Sequence, residues 1–367
     1  MAVAELKAPS PQDDRLEIID CDVHPALSSQ EELYPFMSER WRDELHLNGP
    51  RLAHPVLDQV PYPRLTPGNG MRGDAWPENG GPPGSELGML REQLLDAYGI
   101  SYGVLTPMMA PSTFNLSLAG AIASAVNDWQ IARWLDPEPR LRGSICVPVE
   151  DPEAAVAEIE KRAGDTRFVQ VGFTPRTQEP LGRKRYRPIL ECAAAHGLPV
   201  AVHAEVGGKR ANSGTGWLGY YWEDHVSYFF SMQTLITSLI MEGVFERLPG
   251  LKVVMVEGGF AWAPPLAWRL DKNWHRMRRE VPEVRRPPSE YMREHVWYTT
   301  QPIEEPETPR DLLDVIRWIG ADRLLFSSDY PHWDFDDPRY AFKAKPSPED
   351  VAAIFSGNAR RLYGLVD

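Results

Sequence analysis

LEIIDCDVHP, residues 16–25, is a short apolar run that ends in two carboxylates, a thiol and an imidazole within five residues. The run Leu16–Val23 has the length and β-branched content of a buried strand. Similar runs recur along the chain as SYGVLTP (101–107), LRGSICVPV (141–149), RFVQVGF (167–173), LPVAVHAE (198–205), LKVVMVEGG (251–259), VWYTTQ (296–301) and RLLFSSDYPH (323–332). Amphipathic stretches separate them, such as LGMLREQLLDAYGI ending at Gly99 and DPEAAVAEIEKRAG with Asp151 as a cap and Gly164 as a stop. Near-continuous apolar strands alternating with helical crossovers describe a parallel sheet covered by helices, and eight such units predict a (β/α)8 TIM barrel. An open doubly wound sheet is the alternative, but no GxGxxG turn follows the first run.

The 367 residues divide into a tail, 1–15, and one barrel domain, 16–367, distorted by a Pro/Gly-rich insertion over 27–87. QEELYPFMSERWRDEL (30–45) reads as a helix interrupted near Pro35, and the prolines and glycines of 49–86 forbid long helices. Because βα loops open on the catalytic rim, this insertion is expected to lie over it as a lid. A formal net charge of −13 argues against nucleic acid and membrane as partners. No window reaches the roughly 18 apolar residues of a membrane span and no signal peptide is evident, which predicts a cytoplasmic protein. Cys146 and Cys192 read as core thiols, and three scattered cysteines make neither a disulfide framework nor a CxxC zinc site.

Catalytic groups of such a barrel belong at the C-terminal strand ends. Those ends carry Asp22 and His24, then His203, Glu257, Asp329 and, three residues on, His332. Asp22 and His24, two apart on extended chain, project to one side, with Asp20 one step deeper on the same face and Cys21 packed outward. Two imidazoles and two carboxylates suit one divalent ion, zinc, manganese or iron(II), whereas the lack of thiolate ligands argues against structural zinc. Taken singly, each of these residues has an ordinary structural explanation, a loop cap or a satisfied core histidine. His332 is equally a loop histidine or a group that orients substrate.

DCDVH, VAVHAE, LKVVMVEGGFAW and LLFSSDYPH resemble, in order and spacing, the metal-dependent amidohydrolase superfamily, in the branch related to aminocarboxymuconate-semialdehyde decarboxylase. NDWQIARWLDPEPRLRG and SLIMEGVFERLPGLKVV are similar to that branch too, so the resemblance spans nearly the whole chain. It implies a distorted barrel holding one ion, with Asp22, His24, His203 and Asp329 as metal ligands. Decarboxylases of the branch usually place a histidine after the sixth strand, where this chain has Glu257-Gly258-Gly259. A glutamate accepts a proton or binds a metal, but does not supply the donor and cation roles of an imidazole at neutral pH. The fourth run has no lysine to carbamylate, which argues against a binuclear site.

The expected activity is nonoxidative decarboxylation of a hydroxy-aryl or enoic carboxylic acid, with Asp329, Glu257 and His332 as the candidate catalytic residues: Asp329 protonates the ring carbon, Asp329 or Glu257 takes a proton from water if the reaction is hydrolytic, and His332 orients the substrate or a ligand. The alternatives are metal-dependent hydrolysis of an amide, ester, lactone or activated carbon–carbon bond, and a non-catalytic scaffold. The substrate should be small, anionic at the metal and aromatic elsewhere. GWLGYYWEDHVSYFF places Trp217, Tyr221 and Trp222 where rings either stack a planar substrate or bury a surface between subunits of a homo-oligomer. Arg176 and Arg210 are candidate carboxylate clamps.

Overall fold

The computed structural model describes residues 16–48, 70–107, 115–174, 177–204, 216 and 219–366. Eight parallel strands follow one another in sequence order around the sheet. They are β1 (Ile18–Val23), β2 (Ile100–Leu105), β3 (Leu141–Cys146), β4 (Phe168–Phe173), β5 (Val200–His203), β6 (Val253–Val256), β7 (Val296–Thr299) and β8 (Leu324–Leu325). Helices cover the outside, and the ring closes between its first and last strands. There the Cys21 amide donates to the Phe326 carbonyl at 2.9 Å and the His24 amide to Tyr330 at 2.8 Å, with a parallel bridge between Val23 and Tyr330. The architecture is thus a (β/α)8 barrel with a seam at β1 and β8.

Two expectations change at that seam. The last strand is much shorter than 323–332, because the amides beyond Leu325 leave the ladder: Phe326 donates to the Ile354 carbonyl, Ser327 to the Thr300 hydroxyl at 3.2 Å and Ser328 to the Asp20 carboxylate at 2.9 Å. Cys21 does not pack outward. The register of β1 on β2 shifts between Asp20 and Val23, a bulge that breaks the two-residue alternation. Cys21 accordingly joins the inner cluster, to which β1, β2, β4, β5, β6 and β8 contribute Ile19, Val104, Val169, Ala201, Val254 and Leu325, among others. The C-terminal residues Ala359, Leu362 and Leu365 complete that cluster. Asp20 turns to Ser328, whose amide and hydroxyl both donate to it. Cys146 is buried as expected and Cys192 only half so; all three thiols are free.

The chain before β2 behaves as its composition predicts where it is described. Pro35 lies in a 3₁₀ turn, Gln30–Phe36, and the α-helix Glu39–Asn48 starts after it. Residues 70–86 hold no long helix and run across the seam: the Gly70 and Gly84 carbonyls accept from Trp333 and Ala26, and the Arg72 amide donates to Pro331. Residues 49–69, the core of the expected lid, lie outside the described residues. Among the described residues no helix is long and apolar enough to cross a membrane.

Gly84 has φ +83° and lies so close to β1 that a Cβ there would collide with the His24 carbonyl oxygen. Gly84→Ala should therefore cost about 2 kcal/mol, the order of a left-handed non-glycine residue, read as a lower denaturant midpoint with an unchanged m-value.

Candidate metal centre

The strand-end residues singled out in the sequence meet at the seam. Asp22 lies near the end of β1 and His24 directly follows it, His203 is the last residue of β5, Glu257 follows β6, and Asp329 and His332 follow β8. Asp22, His24, His203 and Glu257 can each offer one ligand atom within 4.8 Å of the others, and so can His24, Asp329 and His332. His24 Nε2 lies 3.4 Å from Asp22 Oδ1 and 2.7 Å from Asp329 Oδ1. His203 Nε2 lies 3.6 Å from Asp22 Oδ2 and 3.1 Å from Glu257 Oε2. His332 Nδ1 donates to Asp329 Oδ1 at 2.6 Å.

Backbone groups aim the imidazoles. His24 Nδ1 donates to the Thr106 carbonyl at 2.8 Å, and His203 Nδ1 to the carbonyl of Ala204. In the neutral ring each bond favours the proton on Nδ1, which would turn the Nε2 lone pair toward a cation. Thr106, just beyond β2, also donates its hydroxyl to Asp22 Oδ1. Glu257 and Asp329 are the two non-glycine residues with left-handed backbone among those described, at φ 58° and 62°. The Glu257 amide is held by the Thr299 hydroxyl at 3.0 Å. Strain of this kind persists only where neighbours over-determine it, and here it aims two carboxylates at the same point.

The buried charges at the strand ends oppose one another. Burial alone would raise Asp22, yet His24 and His203 hold its carboxyl far below the ordinary range. Burial would lower His24, but Asp22 and Asp329 hold it well above the ordinary imidazole value. Glu257 is pushed well up by burial and then by Asp329 and Asp22. Four buried atoms, Asp22 Oδ2, His24 Nε2, His203 Nε2 and Asp329 Oδ2, have no hydrogen-bond partner, since the close Nε2–carboxylate approaches lack hydrogen-bond geometry. Buried polar atoms are rarely orphaned. Asp22, His24 and His203 lie with Glu257 in one set within ligand reach, and Asp329 lies with His24 and His332 in a second that shares His24; imidazole nitrogens and carboxylate oxygens grouped in this way fit a single divalent ion.

A cavity of about 330 Å³ reaches this centre through Glu257 and is walled by Tyr228, Phe229, Trp262 and Ile303. Its ionisable lining includes Glu257, Glu304 and His225. Of the aromatic candidates, Tyr221 is held by a hydrogen bond from Trp333 Nε1 to its hydroxyl at 3.0 Å, whereas Trp222 is 69% exposed. Arg176, Arg210 and Trp217 lie outside the described residues. Sequence reasoning missed Thr106, and it missed His225 although that residue stands within the aromatic stretch.

The amidohydrolase family model matches residues 19–365. The chain belongs to the amidohydrolase family. One relative of this amidohydrolase is the gamma-resorcylate decarboxylase of Polaromonas sp., 29% identical over 75% of this chain and 86% of the relative. Another is the 2-keto-4-carboxy-3-hexenedioate hydratase of Sphingobium sp., 23% identical over 75% of this chain and 82% of the relative. Among solved structures, the 5-carboxyvanillate decarboxylase of Novosphingobium aromaticivorans, complexed with manganese and 4-hydroxy-3-methoxy-5-nitrobenzoic acid, matches with a TM-score of 0.69 at 18% identity, covering 95% of this chain and 96% of that one. At that identity the last likeness speaks for the fold of the amidohydrolase alone.

Two outcomes test this electrostatic account. Thr106→Val removes the hydroxyl that orients Asp22, and the Kd for Mn2+ should rise roughly 10–100-fold by calorimetric titration while the fold is retained. Asp336, behind the Ser328 carbonyl, is pushed up to about 7 by burial, then by Asp334, Asp329 and Glu305. The folded chain therefore keeps a proton that the unfolded chain releases near pH ~4, so this group makes stability fall as pH rises from about 4 to about 7. Asp336→Asn should flatten that part of the stability profile.

Proposed function

We propose that this amidohydrolase-family chain is a mononuclear metal-dependent carboxy-lyase that decarboxylates a hydroxy-aryl carboxylic acid without oxidation. The observation that carries the reading is the set of four orphaned buried donor atoms, Asp22 Oδ2, His24 Nε2, His203 Nε2 and Asp329 Oδ2, at the barrel mouth. Decarboxylase activity in the relative from Polaromonas supports it, as does an aromatic-walled cavity sized for one ring. Asp22, His24, His203 and Asp329 would hold the ion, zinc, manganese or iron(II), and manganese in the solved neighbour favours the second. When bound, such an ion would offset the charge of the substrate's carboxylate and stabilise the charge that develops as CO₂ leaves.

The protein's own groups carry the proton. Asp329, hydrogen-bonded to His332 at 2.6 Å, protonates the ring carbon that bears the carboxylate. The carbon–carbon bond then breaks, its electron pair restores aromaticity, and CO₂ and the free phenol depart. His332 returns a proton to Asp329 from solvent. Tyr221, together with Tyr228 and Trp262 of the cavity, positions the ring. The acidic composition supports a small-molecule substrate over a nucleic acid or a membrane, and exposed Tyr220, Trp222 and Phe230 support a homo-oligomer.

A second reading is addition of water, as hydrolysis or hydration. It is favoured by Glu257, a buried carboxylate where the resembling decarboxylases have a histidine, and by the Sphingobium hydratase among the relatives. The isotopes separate the two. With Mn-loaded enzyme in D₂O, decarboxylation leaves deuterium on the ring carbon that lost CO₂; ¹⁸O from water in the organic product would show the second reaction. Asp329→Asn should reduce turnover roughly 10²–10⁴-fold. His203→Ala should lose both the ion, by elemental analysis, and turnover; full metal content in that variant would refute the ligand assignment.

A further inference from the structure

The cavity beside the metal centre contains one imidazole that the proposed chemistry leaves idle. His225 ends the short helix Tyr221–His225 that follows β5. Its Nε2 lies 2.9 Å from Asp334 Oδ2, an ion-pair approach without hydrogen-bond geometry, and both side chains are nearly buried. Asp334 is fixed in turn by Gln301, whose Nε2 donates to the same carboxylate oxygen at 2.8 Å. The loops after β5, β7 and β8 thus each supply one member of the array. Rings enclose the imidazole, with centroids 5.1 Å away for Tyr228, 5.7 Å for Trp333 and 6.0 Å for Tyr221. A carboxylate behind one nitrogen of an imidazole fixes the ring and favours its cation. Nδ1 is then the remaining donor, and among the described residues it has no hydrogen-bond partner.

The two carboxylates of the cavity are committed elsewhere. Glu304 accepts from the backbone amides of Phe260 and Ala261, at 3.0 and 2.9 Å. Glu257 turns toward His203 at 3.1 Å. Between Glu257, at the metal end, and His225, the walls offer the aromatic and aliphatic surface of Tyr228, Phe229, Trp262 and Ile303. A planar ring that anchors one acid group at the metal therefore meets, along this cavity, the Tyr228 hydroxyl and the His225 imidazole, and of the two only the imidazole can carry positive charge.

We propose that His225, positioned by Asp334, binds a second carboxylate on the substrate ring, so that this site selects hydroxy-aryl dicarboxylic acids over their monocarboxylic counterparts. The proposal rests on the decarboxylase reading for what becomes of the first carboxylate, and on the cavity alone for the recognition of the second. A charge-assisted hydrogen bond in a nearly dry pocket corresponds to roughly a tenfold to hundredfold preference. Because Asp334 acts through His225, it is a positioning residue and its loss should weaken that preference without touching the first anchor.

Equilibrium binding and turnover are measured separately on the Mn-loaded full chain with 2-hydroxybenzoate and 2-hydroxyisophthalate. The wild type should bind the diacid roughly 10–100-fold more tightly. His225→Gln should lose that preference while its metal content, thermal midpoint and Kd for 2-hydroxybenzoate stay as they were; Asp334→Asn should reduce the preference in the same direction. A preference that persists in His225→Gln, or a wild type that binds the two acids equally or binds neither, overturns the proposal. A preference that depends on His225 without any release of CO₂ from either acid upholds the recognition and refutes the decarboxylase reading instead.

Discussion

Asp22, Asp329 and Glu257 hold three carboxylates inside one barrel mouth, each at most 5% exposed. Removing like charges from water and setting them side by side is among the most costly arrangements a protein can contain, and it survives only with countercharge at hand. Two imidazoles supply part of it. The rest is legible in the atoms without partners, since hydrogen bonds satisfy one edge of each histidine ring and leave the other facing the acids. The same shortage explains the extremes of protonation at the site: Asp22, next to both imidazoles, is held low, and Glu257, which has His203 as neighbour but also two other carboxylates nearby, is driven high.

The backbone bears the cost of this geometry at defined places. Left-handed φ angles at Glu257 and Asp329, the bulge in β1 and the early end of β8 all lie within the ring of residues that face the proposed ion. Each departs from the regular barrel, and each is locked by a side chain drawn from a neighbouring strand or loop: Thr299 for Glu257, His332 for Asp329, and Asp20 for the loop beyond β8. Regular packing of aliphatic side chains inside and outside the sheet supplies the rigidity that makes such departures tolerable.

Barrel topology and the principal site residues were legible in the sequence because two periodic signals coincide there. Apolar runs broken by helical stretches mark the strands, and in this topology the strand ends converge, so Asp22, His24, His203, Glu257 and Asp329 could be placed together without coordinates. What was illegible depends on tertiary detail. Thr106 looks like any threonine after an apolar run, and its bond to Asp22 exists only once β1 and β2 pair. His225 and Asp334 are far apart in sequence and sit on loops of different strands. Cys21 was misplaced because the alternation rule assumes an unbroken register, and a bulge of one residue reverses the direction of everything beyond it.

The seam has a further consequence, for the order of events in the life of the chain. Asp20 and Ser328, which tie β1 to the loop beyond β8, are separated by 308 positions, so the first and last strands pair only after the intervening polypeptide has been threaded into place. Contacts of such long range are late and slow to form. Since Asp22 and His24 lie on one side of that join and Asp329 on the other, the full set of proposed ligands comes together only when the ring closes.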